Sequence, residues 1–353
     1  MPLAASPFPF RCPAWFCTGA SAAMLSLVVH PVLAAPAKSK SASSTAGLAW
    51  PPPPATPCVV FVQNLTGPAD AGVKLPTLSR IAGWISGSSA ATAPLDKPFG
   101  LALDDDGNLL LTDTGAGAVC CLDRTAKKWW RWEQVGKTHF QSPVAAARQR
   151  ETIFVADSAL GKVLAFDLKG KPRFEITQEL ERPAGLVLSR DKLFVADSQR
   201  HQVVTYDLQG KFLSKFGRRG GAPGEFNFPT HLAIDPSGRL FVTDSLNCRI
   251  QIFDANGQFQ RAIGKSGDGP GCFNRPKGVA LDRFGHLYVV DALFDNVQIF
   301  DDQGHLLLDW GEAGSDPGQF WLPNGIAIGS DNVIYVADSY NHRVQVFRYT
   351  GKP

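Results

Sequence analysis

The sequence predicts an all-β fold, a six-bladed β-propeller of four-stranded antiparallel blades whose ring is closed by an N-terminal strand. Three observations carry this: a segment that recurs six times, turn chemistry that cuts each copy into four short strands, and a last copy that lacks its fourth strand. The copies begin PFGLALDDDGNLLLTD at Pro98, PVAAARQRETIFVAD at Pro143, PAGLVLSRDKLFVAD at Pro183, PTHLAIDPSGRLFVTD at Pro229, PKGVALDRFGHLYVVD at Pro276 and PNGIAIGSDNVIYVAD at Pro323. Each ends on an acid: Asp113, Asp157, Asp197, Asp244, Asp291 and Asp338, at intervals of 44, 40, 47, 47 and 47 residues.

In chain order, residues 1–35 come first and read as a secretory signal. Arg11 precedes an almost continuous small or apolar stretch from Ala14 to Ala35, and Val32 with Ala34 suits cleavage after Ala34, with a second site at Ala35-Pro36-Ala37. An uncleaved anchor is the alternative, since the stretch is long enough to span a bilayer, but Pro31 and the cleavage-like end favour export to the periplasm or beyond the cell, with no span in the mature form. Residues 36–57 are small, polar and Pro-rich, which leaves too little apolar surface to fold and predicts a disordered tether. Residues 58–353 are then one domain.

Within a copy, Pro opens strand a (Gly278 to Leu281), a turn such as Asp235-Pro236-Ser237-Gly238 leads to strand b (Leu240 to Thr243), and strand c follows (Arg249 to Phe253). Asp254-Ala255-Asn256-Gly257 turns the chain into strand d (Gln258 to Ile263). No stretch holds a 3.6-residue apolar period long enough for a substantial helix. The sixth copy ends with strand c at Phe347, so its strand d must come from upstream, either Val59-Val60-Phe61-Val62 or Leu78 to Gly83. Such closure pairs backbone groups that an open edge would expose, and loss of residues 58–90 is expected to destabilise the ring.

Lys and Arg total 35 against 32 Asp and Glu, but Arg11, Lys38 and Lys40 lie before residue 58, so the ring is neutral at 32 to 32. That argues against a nucleic-acid partner, whose non-specific affinity needs a basic excess. Seven Cys include no C-x-x-C pair, which removes zinc ribbons and thioredoxin chemistry. Cys120 and Cys121 are strand neighbours and face opposite ways, whereas Cys248 and Cys272 lie in loops of one face and form a candidate disulfide.

Five residues after the strand-b acid, copies four and six place Arg249 and Arg343, so Asp244 with Arg249 and Asp338 with Arg343 are expected as bidentate structural pairs. An acid that recurs in all six blades is structural; a catalytic carboxylate is usually singular. Together, Pro-x-Gly-(Ile/Val)-Ala, (Tyr/Phe)-Val-(Ala/Thr/Val)-Asp and Asn341-His342-Arg343-Val344-Gln345-Val346-Phe347 resemble the NHL repeat, most strongly in copies four and six. The resemblance implies a six-bladed propeller, and the layout of signal, Pro-rich tether and lone propeller is similar to exported bacterial NHL proteins. Ubiquitin-ligase and RNA-binding relatives attach modules that are absent from this sequence. Other relatives implied by the fold are an amidating lyase with a zinc among three His at the axis, and lactonases or phosphoesterases around a central calcium.

Function is expected where residues break the repeat. The d–a connections and b–c loops share one face, and the middle position of Pro-x-x brings Phe99, Val144, Ala184, Thr230, Lys277 and Asn324 to the channel mouth, with His231 where four of the other five copies have Gly. Arg200, Phe294 and Tyr340 sit in b–c loops of the same face. The long d–a loops 218–226, 265–273 and 312–320 are further binding candidates. His139, His201, His231 and His342 could share that face, but His342 belongs to the family's own motif, so no metal or other cofactor is expected. Trp129-Trp130-Arg131-Trp132 is expected as strand d of the first blade, with at least one Trp between blades. These residues point to a monomeric, non-enzymatic scaffold presenting loops to a protein, peptide or glycan; a metal-dependent enzyme at the channel is the alternative.

Overall fold

Strands b such as Leu240–Asp244 and Val333–Asp338 are buried at every position, which a sheet achieves only when another sheet covers each of its faces. The computed structural model, which describes residues 47–52, 54–73 and 93–351, meets this demand with a ring of six sheets. Blade 1 is built from Pro98–Leu103, Leu109–Asp113, Ala118–Asp123 and Lys128–Trp132, and blades 2 to 5 repeat the order a-b-c-d. A two-stranded hairpin, Gln134–Val135 with Thr138–His139, lies between blades 1 and 2. Six buried apolar clusters fill the six blade interfaces, one in each.

Blade 6 supplies only Pro323–Ile328, Val333–Asp338 and Arg343–Tyr349 from the C-terminal end. Its strand d is β2 (Val59–Leu65), which runs antiparallel with Val59 opposite Tyr349, Phe61 opposite Phe347 and Leu65 opposite Val344. The first upstream candidate therefore closes the ring; the second, residues 78–83, lies outside the described residues. A fifth strand, β1 (Ala49–Trp50), pairs with Val59 and Val60. That corrects the expected tether, because Trp50 has a packing partner: its ring meets Phe347 edge-on at 5.8 Å. Phe347 also touches Phe61, Trp310 and Phe320 at 5.6 to 6.0 Å, so residues from both chain ends share one aromatic cluster.

Strand alternation disposes the Trp run of blade 1 as expected. Trp129 packs against the apolar cluster between blades 1 and 6, while Trp132 meets Phe166 of blade 2 at 5.5 Å. Cys120 and Cys121 are both fully buried and unpaired, and burial pushes each thiol up to about 12, which makes them inert packing groups.

The acid ending each strand b orders the loops above it. All six are fully buried. Asp291 accepts backbone N–H bonds from Asn274 and Arg275 of the preceding d–a loop and from Leu293 and Phe294 of its own b–c loop, at 2.7 to 3.2 Å. Asp113, Asp157 and Asp197 use the same arrangement. Asp244 and Asp338 instead take one loop N–H and three side-chain donors, Asn247, Arg249 and Gln251 in blade 4, Asn341, Arg343 and Gln345 in blade 6. The expected bidentate pairing is corrected here. Arg249 gives only Nε to Asp244, and its Nη2 donates to the carbonyls of Ala222 and Glu225; Arg343 likewise reaches Asp316 and Gln319. Each guanidinium thereby bridges acid and loop, because the d–a backbone offers acceptors at the reach of the second nitrogen.

The long d–a loops also prove structural in part. Each folds over one buried ring, Phe226, Phe273 or Phe320, held by a short parallel bridge to Arg219, Ser266 or Ala313. Neighbouring blades are pinned at a left-handed residue after strand b. His201 Nδ1 accepts from Phe228 N–H at 3.1 Å, Cys248 Sγ donates to the Asn274 carbonyl at 3.2 Å, Asp295 accepts from Leu322 N–H at 2.7 Å, and His342 donates to the Asp96 carbonyl. The proposed Cys248–Cys272 disulfide is absent for this reason: both thiols are free, one engaged by blade 5 and the other tucked beneath Gly267 of its own loop.

If Phe347 couples the two chain ends, Phe347→Ala should cost about 3 to 5 kcal/mol, in the range of large buried aromatic deletions. Removal of residues 47–65 should abolish a single cooperative unfolding transition. Urea titration followed by tryptophan fluorescence reads both, and unchanged midpoints would show that blade 6 stands without its N-terminal strand.

Candidate functional site at the axial mouth

Every strand a carries one extra residue next to its opening Pro, seen as a register shift against strand b. A bulge re-aims side chains, and here it turns the residue after Pro toward the axis. Phe99, Val144, Ala184, Thr230, Lys277 and Asn324 accordingly line two adjoining cavities of about 350 and 470 Å³ at the loop-rich end of the channel. Two further rings border the same space. The residue before each Pro contributes Lys97, Ser142, Arg182, Phe228, Arg275 and Leu322; the residue after each strand-b acid contributes Thr114, Ser158, Ser198, Ser245, Ala292 and Ser339.

One residue on, strands a touch their neighbours so closely that most copies need Gly. A Cβ at Gly325 would lie 2.4 Å from the Phe99 carbonyl, and one at Gly278 equally near that of Asn324. Blade 4 places His231 at this position. Its ring stacks on Phe99 of the opposite blade, 6.2 Å between centroids and 24° between planes. Because blades 1 and 4 face each other across the axis, the two rings form a floor beneath the mouth.

Around that floor Thr230 Oγ1 and Arg275 Nε are buried without partners, and the His231 ring stands against the Asn324 side chain. Burial and then the charge of Lys277 depress the His231 imidazole to about 3, although the Asn324 side chain opposes the shift, so the ring is neutral at physiological pH. Lys277 is lowered too, first by desolvation and then by Arg275. No Asp or Glu lines either cavity, and among the described residues Lys97, Arg182, Arg275 and Lys277 have no ion pair. Outward from the floor the rim turns apolar on one side, where Leu246, Leu293, Trp321 and Tyr340 of blades 4 to 6 are exposed. Lys97 places its ammonium 4.1 Å from the Tyr340 ring centre.

Of the expected site residues, Phe99, Thr230, His231, Lys277, Asn324 and Tyr340 meet at this mouth. Arg200 and Phe294 do not line it. Arg200 pairs with Glu179 and Glu181 at 3.1 and 3.5 Å, and Phe294 serves the Asp291 hub through its N–H. Sequence reasoning missed Lys97, Arg182 and Arg275, although their signal was present in the register: each stands immediately before the Pro of an odd-numbered copy. The histidines do not gather. His201 and His342 pin blades, His139 lies in the hairpin after blade 1, and among the described residues no three His, Cys, Asp or Glu side chains are placed to hold a metal ion.

Comparison with known proteins agrees with this architecture. Residues 320–347 match the NHL repeat, and residues 177–238 and 236–293 match a 6-bladed beta-propeller family. The chain is a six-bladed β-propeller that carries an NHL repeat at residues 320–347. No curated protein sequence matches it. Among solved structures, hydrazine synthase of Kuenenia stuttgartiensis is 15% identical with a TM-score of 0.54, covering 73% of this chain and 97% of that one. Virginiamycin B lyase from Staphylococcus aureus is 14% identical with a TM-score of 0.51, covering 72% and 85%. A Bacteroides thetaiotaomicron protein of unknown function is 13% identical with a TM-score of 0.55, covering 72% and 70%. At such identities the likeness concerns the propeller fold alone.

The buried His231 should leave a signature in acid. A histidine titrating near 6.5 when unfolded and about 3 when folded stabilises the native state fully above pH 6.5, and this contribution is lost as pH falls toward 3. The loss is on the order of 4 kcal/mol. The thermal midpoint of the wild type should therefore fall more steeply than that of His231→Gln between pH 6.5 and pH 3; parallel profiles would contradict the desolvated setting.

Proposed function

We propose that the NHL propeller is a non-enzymatic binding scaffold, exported from the cytoplasm, that receives a protein, peptide or glycan ligand at its axial mouth. The observation that carries this reading is the floored cup itself. The residues that depart from the repeat converge there, and they bring buried, unpartnered donors and acceptors that a structural role leaves unused. The repeated acids and pinning residues, by contrast, are bonded to the loops they hold, and the unpartnered atoms away from the mouth, such as those of Asn64, Gln298 and Trp310, line neither of its cavities. The half-apolar rim supplies area for the body of a ligand, while the cup takes its end group. Export rests on residues 1–35, which lie outside the described residues.

The metal-enzyme alternative needs ligands that converge, and His231 is the sole His of the four candidates in the mouth.

The test is affinity capture by the full chain from the envelope and medium of its native cell. A ligand held at the mouth should be lost with Leu293→Ser or Lys277→Met and kept with Arg190→Gln, whose side chain borders the a–b turns of the opposite face. Equal capture by all variants would place binding elsewhere. One zinc or calcium per chain in the purified protein, lost with His231→Ala, would replace the scaffold reading with the enzymatic one.

A further inference from the structure

The cations at the mouth are ordered. Lys97, Arg182 and Arg275 occupy one register position, the residue before the Pro of strand a, in blades 1, 3 and 5. Blades 2, 4 and 6 place Ser142, Phe228 and Leu322 there. In a six-bladed ring, alternate blades lie a third of a turn apart, so three positive side chains surround the axis with threefold spacing. Lys277 adds a fourth, one bulge deeper. No carboxylate is among the residues lining the cavities; behind them the buried hub acids Asp113, Asp197 and Asp291 take the backbone N–H groups of Lys97, Arg182 and Arg275, and Asp291 favours the charged form of Lys277. Arg275 Nε is buried with no acceptor, and the neutral ring of His231 carries a further N–H at the floor.

Like charges gathered around one cup favour an incoming anion, and the hub acids behind them are already engaged by loop N–H groups. A single carboxylate would leave most of that charge uncompensated. A phosphate monoester carries nearly two negative charges and three terminal oxygens, and suits a trigonal set of donors in which Arg forks and a Lys point charge both take part. Its carrier is constrained by the rim. Leu246, Leu293, Tyr340 and Trp321 rise on the side of blades 4 to 6, whereas the matching b–c positions of blades 1 to 3 hold Gly115, Ala159 and Gln199. We infer that the group entering the axial cup is a terminal phosphate monoester on an aromatic or aliphatic carrier, with Lys97, Arg182, Arg275 and Lys277 holding the phosphate and the apolar rim holding the carrier.

This rests on the binding reading above and narrows it to a ligand class. Isothermal titration calorimetry of the full chain with phenyl phosphate, inorganic phosphate and benzoate tests it. Phenyl phosphate should bind at least about tenfold more tightly than either of the others. Lys277→Met and Arg275→Gln should each weaken it about tenfold or more, Lys277→Arg should retain it, and Arg190→Gln on the opposite face should leave it unchanged; a variant that loses its cooperative melt is replaced by the retained-charge comparison. Benzoate binding as tightly as phenyl phosphate would overturn the doubly charged oxyanion, and equal affinity for inorganic phosphate would overturn the apolar carrier. Binding indifferent to Lys277 and Arg275, or no heat at millimolar phenyl phosphate, would overturn the site. In those cases native capture that still depends on Leu293 would leave the scaffold reading standing, and its loss as well would end both.

Discussion

The buried aspartate that ends each strand b is the contact on which the ring depends. A β-blade is easily made, but its loops must be fixed before six of them can meet at an axis, and short loops carry backbone N–H groups that their own strands cannot pair. One carboxylate with four acceptor directions answers several of these at once, tying the incoming d–a loop to the outgoing b–c loop. Blades 4 and 6 replace some backbone donors with Asn, Arg and Gln side chains, which explains why the repeat is most recognisable there. The first three blades do the same work through the backbone, so their sequences drift without loss of the hub.

From the hub follows the mouth. With both loops anchored, the bulge beside each opening Pro can turn a side chain inward, and the left-handed residue of each b–c corner can reach the next blade. Where that corner is Gly117 or Gly161, an added Cβ would stand 3.0 to 3.1 Å from a carbonyl of the following d–a loop. Where it is His, Cys or Asp, the side chain makes the bond instead. Three concentric positions, before the Pro, after the Pro and after the acid, are thereby delivered to one small volume from six blades. Such a scaffold separates duties: residues that repeat hold it together, and residues that vary at fixed register decide what it binds.

Much of this was legible in the residues because it repeats. The six acids, the Pro register and the missing last strand gave the blade count and the closure, and the same register brought Phe99, Thr230, His231, Lys277 and Asn324 to the axis. Other readings failed where spacing is silent about direction. Arg249 stands correctly near Asp244, yet the turn of its second nitrogen toward Ala222 and Glu225 depends on a loop from another part of the chain. Cys248 and Cys272 share a face, but one side chain is drawn to Asn274 and the other under Gly267. The long d–a loops read as binding candidates, and the Phe that each one buries shows them to be a repeated structural unit.

The sequence by itself determined the architecture, because periodicity, turn residues and a recurrent buried acid are local properties that each copy states again. Only the tertiary structure decided which upstream segment closes blade 6, that Trp50 belongs to the fold, and that Lys97, Arg182 and Arg275 border one cavity. Those outcomes join residues separated by most of the chain, and they depend on rotation about the ring. Strand spacing fixes what lies on one blade; the angle between blades fixes what meets at the axis.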